Sequence, residues 1–245
     1  MTSQFSRTEL LLGREAMDRL AAARVILFGV GGVGSWCAEG LIRSGLGNLT
    51  IVDADVISES NINRQLMATV SSIGRVKVEA LREHLLDVNP SAAVTAVNRA
   101  YCDATAGEFD LSSYGYVVDA IDSLASKALL IERACLSDAR LFSSMGSALK
   151  TDPTGVRVAE FWEVKGDPLA RTLRKRFRKQ GVIPEKPFKC VYSEELLQNK
   201  GEYQSPDDDP GLFRKACVNG TTAHVTAIFG FTLAGLVIED IIGKA

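Results

Sequence analysis

The chain has 245 residues, 46% hydrophobic and 24% charged, with a formal net charge of −2, which is ordinary for a globular protein. Residues 1–14 carry polar and charged side chains where a secretory signal needs an unbroken apolar core, so we expect no export and a cytoplasmic location. The near-zero net charge means that a nucleic-acid partner has to be inferred from local clusters of cations.

Predicted helices and strands alternate through the first half of the chain. In chain order the pattern predicts a helix over residues 7–23, a strand over 24–28, a helix over 32–44, a strand over 49–53, a helix over 75–88, strands over 93–98 and 116–119, a helix over 124–137 and a strand over 141–144. Short apolar runs such as 24–28 are typical of strands buried on both faces of a parallel sheet. The alternation predicts an α/β fold with a Rossmann-like, doubly wound, largely parallel sheet.

The composition changes after Met145, with more proline, glycine and charge. A strand-like run covers residues 156–164, and a polar stretch over 181–215 is expected to include a flexible loop. We expect one domain over residues 1–245, with a loop-rich basic segment at about 165–215 and an apolar helix at about 222–242. Since a bilayer needs about 20 apolar residues and shorter runs more often mark a core element, we interpret this helix as buried rather than as a membrane anchor.

A glycine-rich loop follows the first predicted strand. Gly29, Gly31, Gly32 and Gly34 match the pattern G-x-G-x-x-G between a strand and a helix. Glycines let the backbone approach a phosphate, and the start of the helix offers unpaired N–H groups to the anion. Asp53, at the end of the second strand, is placed to accept hydrogen bonds from ribose hydroxyls. This motif predicts a nucleotide and leaves NAD, FAD and ATP open.

A polar loop just past the ribose position separates these cofactors. It contains Asn61, Arg64 and Gln65, and Lys77 follows within a short distance in sequence. Arg64 and Lys77 are cations within reach of the distal phosphates, where they could neutralise charge during a displacement at phosphorus. Hydride transfer has no need of them, so the loop favours ATP.

Two carboxylates follow another predicted strand. Asp119 and Asp122 lie at the end of the strand over residues 116–119, where ligands bind in open α/β sheets, and one of them could hold magnesium. The alternative is structural, because Asp122 or Ser123 could cap the following helix.

Five motifs in this order resemble the ubiquitin-activating-enzyme superfamily, which includes the molybdopterin and thiamin adenylyltransferases. They are GVGGVG at 29–34, VDAD at 52–55, SNINRQ at 60–65, GRVK at 74–77 and DAID at 119–122. The resemblance implies activation of a carboxylate with ATP and Mg²⁺ as cofactors, and a homodimer. It also implies these roles: Asp53 holds the ribose, Asn61, Arg64 and Lys77 hold the phosphates with Gln65 beside them, Asp122 holds the magnesium ion, and Arg7 reaches the partner subunit's ATP.

The cysteines and the second half of the chain point to one branch of that superfamily. The sulfur-carrier adenylyltransferases normally carry two C-x-x-C pairs for zinc, whereas the five cysteines of this chain form no such pair, so we expect no structural zinc. GVGGVGSW at 29–36, DPLA at 167–170, KCVYSE at 189–194 and TAIFGF at 226–231 are similar to the tRNA threonylcarbamoyladenosine dehydratase family.

That resemblance implies the substrate and the reaction. The substrate is a tRNA carrying threonylcarbamoyladenosine next to the anticodon, and ATP activates its carboxylate so that a ring closes with net loss of water. Adenylate and acyl phosphate intermediates both stay open, as does a sulfur-donor or redox helper protein. The rival functions are an adenylyltransferase for the C-terminus of a ubiquitin-like or sulfur-carrier protein and a noncatalytic NAD or nucleotide sensor.

A cluster of cations supports an RNA partner independently of any resemblance. The cluster comprises Arg171, Arg174, Lys175, Arg176, Arg178 and Lys179, and Arg157, Lys186 and Lys189 could extend it. Such clusters attract phosphate backbones, although a solvated helix face would have the same composition.

Two cysteines are candidates for a thioester role, because some members of the superfamily form one. Cys190, which has Lys189 beside it, and Cys217 both lie in the second half of the chain, but neither has a histidine close in sequence. A reactive thiol needs a base or a positive field, so we interpret both as small buried or loop residues.

Overall fold

The structure is a computed structural model that describes residues 4–201 and 219–243. Its strands are β1 (Arg24–Phe28), β2 (Asn48–Asp53), β3 (Ala93–Asn98), β4 (Tyr116–Asp119), β5 (Arg140–Ser144), β6 (Val156–Glu160) and β7 (Lys189–Ser193). Its α-helices are α1 (Ser6–Leu12), α2 (Arg14–Ala22), α3 (Gly34–Arg43), α4 (Lys77–Val88), α5 (Leu124–Leu136), α6 (Pro168–Gln180) and α7 (Ala223–Ile241).

The strands form one sheet in the order β3-β2-β1-β4-β5-β7-β6. Every pairing is parallel except that of β6 with β7. The strand order reverses between β1 and β4, and ligands of open α/β sheets bind at the carboxyl ends of the strands beside such a reversal. The predicted doubly wound, largely parallel fold is confirmed.

Strand β1 is buried on both faces from its second residue onward, as its apolar sequence predicts. Successive side chains of a strand point to opposite faces of the sheet. Val25 and Leu27 therefore join the core layer that contains residues of α3, α4 and α7, while Ile26 and Phe28 join the layer that contains residues of α5 and α6. The sheet is therefore packed between two layers of helices, and the carboxyl ends of its strands lie between them.

Two predicted elements differ from the structure. The single helix predicted over residues 7–23 is wrong, because Gly13 adopts a φ of 83° and separates α1 from α2. The strand predicted over 156–164 ends at Glu160, whose Oε2 accepts a hydrogen bond of 2.6 Å from the Trp162 N–H and turns the chain into a short 3-10 helix.

The stretch over residues 181–215, predicted from its polarity to include a loop, also contributes β7 to the interior of the sheet. This strand is short and begins with a lysine, so its apolar run is less conspicuous than those of the first half. Residues 202–215 of that stretch lie outside the described part of the chain.

Helix α7 is 19 residues long, enough by length and composition to cross a membrane. Its Val225, Phe229, Leu233 and Val237 recur every four residues and are fully buried in the core layer shared with α3. Gly230 allows close approach, since a Cβ there would lie 2.4 Å from the Val33 carbonyl oxygen. The helix is therefore built into the fold along this side.

Candidate nucleotide-binding site

The loop between β1 and α3 uses its four glycines in two different ways. Gly29 has a φ of 86°, and a Cβ on it would lie 2.7 Å from the carbonyl oxygen of Ala120. A Cβ on Gly34 would lie only 1.8 Å from the Gly29 carbonyl oxygen, so these two glycines close the turn. Gly31 and Gly32 face the polar loop instead, and the first atom near a Gly31 Cβ is Gln65 Nε2 at 3.9 Å. Gly31 leaves its backbone open to a phosphate, whereas Gly32 lies against Arg64 and Thr226.

Asp53 ties the glycine loop to the end of β2. Its Oδ2 accepts from the Val30 N–H at 2.8 Å, and its Oδ1 accepts from the Asp55 N–H at 2.9 Å. Burial raises the pKa of this carboxyl above its ordinary 3.8, while the Lys77 ammonium opposes the rise. Since each oxygen keeps a further lone pair, the carboxylate can still accept from ribose hydroxyls.

Lys77 lies beside that carboxylate at the start of α4. The residue is 5% exposed, and its Nζ donates to Asp55 Oδ2 at 2.7 Å. The sequence did not single out Asp55 as a partner, although it belongs to the same VDAD segment as Asp53. The pair of carboxylates explains how a lysine ammonium is held in a nearly buried position at this edge.

The polar loop after β2 is held by its own hydrogen bonds. Asn61 is buried, and its Oδ1 accepts from the Ser58 N–H at 3.2 Å. Arg64 Nη1 donates to the Ser60 carbonyl at 2.8 Å, and Arg64 is in contact range of Gly32, whose Cβ would lie 3.2 Å from Arg64 Cγ. The loop therefore brings Arg64 against the glycine turn, as the motif order suggests.

Gln65 carries a buried acceptor that is left without a hydrogen bond. The residue is 5% exposed, and its Oε1 has no partner among the described residues. Buried polar atoms in folded proteins are almost always hydrogen-bonded. An acceptor of this kind beside Gly31 fits a bound ligand that supplies a donor.

Asp122 belongs to the loop that touches the glycine turn from the β4 side. Ala120, two residues earlier, contacts Gly29, and the Asp122 side chain is exposed. Magnesium in nucleotide sites is usually held by one or two carboxylates together with phosphate oxygens and water. Asp122 offers one such carboxylate, so the donor chemistry fits a magnesium ion that also binds phosphate.

Asp119, the other carboxylate of this loop, is excluded as an open metal ligand. It is fully buried, and its Oδ2 accepts from Lys127 Nζ and from Ser143 Oγ, each at 2.6 Å. Lys127 also donates to the Ser144 carbonyl at 2.8 Å, so the cluster joins β4, α5 and β5. The signal that could have found it is the lysine inside the apolar face of α5. Ser123 occupies the N-cap position of α5, as one of the two predicted alternatives has it, but without a side-chain cap hydrogen bond.

The predicted basic cluster lies on α6, apart from the glycine loop. Arg171, Lys175, Arg178 and Lys179 are exposed, whereas Arg174 and Arg176 are half-buried. Arg174 Nη1 donates to the Phe161 carbonyl at 2.8 Å, so this side chain is engaged within the fold. Four of the six predicted cations face solvent.

Of the three residues suggested as extensions of the cluster, Lys186 and Arg157 bond to other parts of the protein. Lys186 Nζ donates to the Ser137 and Ala139 carbonyls at 2.9 and 2.6 Å, and Arg157 pairs with Glu194 at 3.7 Å. Lys189 is exposed at the start of β7. Only Lys189 is therefore left as a clear extension among the three.

Cys190 is fully buried on β7, and burial raises the pKa of its thiol far above the ordinary range. A thiolate is the nucleophilic form, so this environment disfavours a catalytic role. Cys217 lies outside the described residues.

A model of the ThiF family matches residues 5–245. The tRNA threonylcarbamoyladenosine dehydratase of Bacillus subtilis (strain 168) is 35% identical over 245 residues, covering 99% of this chain and 96% of that protein. The protein of the same name from Escherichia coli (strain K12) is 33% identical over 253 residues, covering 99% and 94%. A crystal structure of E. coli tRNA N6-threonylcarbamoyladenosine dehydratase in complex with ATP superposes with a TM-score of 0.86 at 31% identity, covering 100% of this chain and 98% of that one.

Proposed function

The chain belongs to the ThiF family, and we propose that it is an ATP-dependent tRNA threonylcarbamoyladenosine dehydratase. The observation that carries the proposal is similarity to enzymes of that name along the whole chain, rather than over the nucleotide half alone. The sequence motifs of the second half, which lie on α6, β7 and α7, agree with it. We also propose that residues 1–245 form a single ATP-binding domain, since all described strands lie in one sheet.

Residues at the carboxyl ends of the parallel strands contact different parts of ATP in this proposal. We propose that Gly31 and Gly32 approach the phosphates, that Asp53 accepts from the ribose hydroxyls, and that Arg64 and Lys77 neutralise phosphate charge as the bond to phosphorus breaks. Gln65 supplies its unpaired acceptor, and Asn61 keeps the polar loop in place while contributing to the phosphate site.

Asp122 would hold magnesium. When bound, the ion would draw charge from the phosphate oxygens and so make the leaving pyrophosphate more stable. Asp122 is an exposed carboxylate in the loop beside the glycine turn, which supports this role because phosphates complete the coordination of magnesium in such sites.

The proposed chemistry joins two displacements. A carboxylate oxygen of the threonyl group attacks the α-phosphorus of ATP, and pyrophosphate leaves with the electron pair of the broken bond. A neighbouring nucleophilic atom of the same modification then attacks the activated carbonyl carbon, loses its proton and expels AMP, which keeps the oxygen. The sum is loss of one water from the nucleoside, and the second step is fast because both groups belong to one molecule.

The exposed cations of α6 support tRNA as the macromolecular substrate. Arg171, Lys175, Arg178 and Lys179 present positive charge along about 12 Å of α6, at a rise of about 1.5 Å per residue. Phosphate backbones bind such tracks with strong dependence on salt. The N-cap of this helix, Asp167, bonds to the loop after β5, so the helix starts at the edge where we place ATP.

A homodimer is a further proposal, and α1 supports it. Leu10 and Leu11 of this helix are 89% and 82% exposed, and Arg7 is exposed on the same helix. Adjacent large apolar side chains in water favour burial against a partner. We propose that α1 packs on a second copy, where Arg7 could reach the partner subunit's ATP, that the enzyme acts in the cytoplasm, and that a sulfur-donor or redox protein is an optional helper.

The rival carrier-protein function predicts a different substrate for the same adenylation site. An adenylyltransferase of that kind would bind a flexible protein C-terminus where we place the tRNA nucleotide. A nucleotide sensor would need the glycine loop and Asp53, but would have no use for Arg64, Lys77 and Asp122 together. Arg64→Ala separates an adenylating enzyme from a nucleotide sensor. An adenylating enzyme should lose about 100-fold in turnover, far more than it loses in ATP affinity, whereas a sensor should keep its function as long as the nucleotide still binds.

The decisive experiment is mass spectrometry of nucleosides from tRNA that carries threonylcarbamoyladenosine. The tRNA is incubated with the protein and magnesium, with and without ATP, and digested under mild conditions that keep an activated ring closed. We expect loss of one water only with ATP, abolished in Asp122→Ala, with release of AMP rather than ADP. An unchanged nucleoside from protein that binds ATP would overturn the proposal and direct the search to a protein tail.

A further inference from the structure

Two buried charged residues outside the nucleotide site join the carboxyl edge of the sheet to the basic helix. Asp167 and Lys150 are each 2% exposed. Asp167 is the N-cap of α6, where its Oδ1 accepts from the Ala170 N–H at 2.8 Å. Its Oδ2 accepts from the Gly146 N–H at 3.1 Å. Because Gly146 follows β5, one carboxylate holds both the start of the helix and the loop at the sheet edge.

Lys150 completes the connection to β7. Its Nζ donates to the Ser193 carbonyl at 3.0 Å and to the Glu195 carbonyl. Burial lowers the pKa of this ammonium, and the nearby carboxylates of Asp167 and Glu195 oppose the change. The charge of the Asp167 carboxylate favours the ammonium form of Lys150, and the two backbone carbonyls hold that ammonium in place.

The backbone between the two residues is held in an unusual conformation. Leu149 has a φ of 61°, and no other non-glycine residue in the described part of the chain has a positive φ. Its N–H donates to the Gly220 carbonyl at 2.9 Å, and its own carbonyl accepts from the Leu197 N–H at 2.8 Å. A leucine keeps such a conformation only where its surroundings impose it. Residues 146–150 are therefore fixed in one shape.

This fixed loop stands between the two functional surfaces. β5 lies beside β4 with Ser143 opposite Asp119, so Gly146 emerges at the same edge of the sheet as the nucleotide site. On the other side, the first exposed cation of α6 is Arg171, whose N–H donates to the Asp167 carbonyl at 3.1 Å. Any tilt of α6 relative to this edge must break the bonds of Asp167.

We propose that Asp167 and Lys150 are positioning residues that hold the RNA-contacting helix in register with the nucleotide site. A tRNA docked on α6 then presents its modified nucleotide at the distance and angle that the reaction needs. The proposal rests on the proposed function, because it requires tRNA on α6 and ATP at the glycine loop. The two residues act through the loop and the helix that they join.

Asp167→Ser tests the link while keeping the helix cap. A serine at the N-cap still accepts from the first turn of α6, but its short side chain does not also reach Gly146. We expect kcat with tRNA to fall about 10-fold to 100-fold, because small errors in the placement of reacting groups have effects of that size. The dissociation constants for ATP and for tRNA should stay within about two-fold, since neither binding surface is altered.

Two further variants guard against a general loss of fold. Gly146→Ala keeps every charge but places a Cβ 3.2 Å from Asp167 Oδ2, so it displaces the carboxylate and should lower kcat in the same direction. Gly181→Ala, at the opposite end of α6, forces an alanine into a φ of 69° with open space around it. It strains the same helix without touching the link and should leave kcat unchanged.

The outcomes separate this proposal from the proposed function. If the wild-type protein forms no dehydrated nucleoside, the proposed function fails and this proposal with it. If the wild type is active, an unchanged kcat in Asp167→Ser and Gly146→Ala overturns the positioning role alone. A weaker tRNA affinity with unchanged kcat would also overturn it, because that result assigns these residues to binding.

Discussion

The carboxyl ends of β2 and β4 carry the same residue type and use it in opposite ways. Asp53 ends β2, remains partly exposed and accepts from backbone N–H groups of the glycine loop and its own turn. Asp119 ends β4, is fully buried and is saturated by Lys127 and Ser143. Both strands flank β1. The lysine of α4 differs from that of α5 in what it binds: Lys77 donates to Asp55 and leaves Asp53 partly exposed, whereas Lys127 donates to Asp119 itself.

The largest effect should come from removing the buried carboxylate. Asp119→Ala leaves the Lys127 ammonium fully buried without its counter-ion, which should lower the free energy of unfolding by about 3–5 kcal/mol. Urea denaturation followed by circular dichroism measures the change. Asp119→Ala combined with Lys127→Met should recover much of the loss, because the uncompensated charge is then gone.

Asp53→Ala provides the contrast in the same assay. It removes an acceptor for backbone N–H groups at a partly exposed position, so we expect a loss of about 1–2 kcal/mol. Equal losses for the two alanine variants would contradict the distinction between a structural strand end and a ligand-binding one.

Asp53→Ala, the variant with the smaller expected loss of stability, should have the larger effect on the affinity for adenosine. Asp53→Ala should weaken adenosine binding about 10-fold to 100-fold, since a hydrogen bond to a charged group contributes about 1.5–3 kcal/mol. Isothermal titration calorimetry measures the affinity. Asp110→Ala is the matched control, because the Asp110 carboxylate likewise accepts from a backbone N–H, that of Ser112 at 3.1 Å, in a turn before β4. Its affinity for adenosine should equal that of the wild type.

The pH dependence of adenosine binding tests whether Asp53 binds the ribose as an ionised carboxylate. Burial raises the pKa of Asp53 above 3.8. The ionised carboxylate is the form with enough acceptors for the ribose, so affinity should be full at neutral pH and fall as the pH drops through the raised pKa. Folding stability has the opposite sign: the contribution of protonated Asp53 is present below 3.8 and is lost as the pH rises through the folded-state pKa.

Lys77→Met should move this acid transition to higher pH, because the Lys77 ammonium lowers the pKa of Asp53. Adenosine serves as the ligand since it has no phosphate to titrate in the same range. An acid dependence that persists unchanged in Asp53→Ala would assign the transition to another group.

Local patterns in the sequence were sufficient for most of the fold and for the closeness of the glycine turn to Asp53. The glycine turn, the strand that precedes it and Asp53 lie within one βαβ unit, so their spacing alone predicts their proximity. Gly13 was also a local signal, and its effect on the first helix was underestimated. Buried partners are different, because the place of Lys127 in the apolar face of α5 signals its burial but not which carboxylate it meets.

The second half of the chain was harder to predict for the same reason. The positive φ of Leu149 and the bonds between Asp167 and Gly146 depend on three segments meeting at the sheet edge. No propensity or periodicity encodes such a meeting. In the motif DPLA at 167–170, aspartate followed by proline is a local signal for a helix start, whereas the second bond of Asp167, to the loop after β5, depends on tertiary packing.

The smallest effect on activity is expected from replacing Cys190. This residue lies beside the buried Asp119–Lys127–Ser143 cluster, not at the nucleotide site. It is fully buried on β7 opposite Ser143, and burial holds the pKa of its thiol far above the ordinary range, with the Lys127 ammonium opposing the shift. A thiol in this state is not a nucleophile at neutral pH. Cys190→Ala should therefore keep the yield of dehydrated nucleoside per unit time within about two-fold of the wild type and cost about 1 kcal/mol of stability. Loss of turnover in a Cys190→Ala protein that still binds ATP and unfolds cooperatively would instead require a thioester step, and would place chemistry inside the cluster that we interpret as structural.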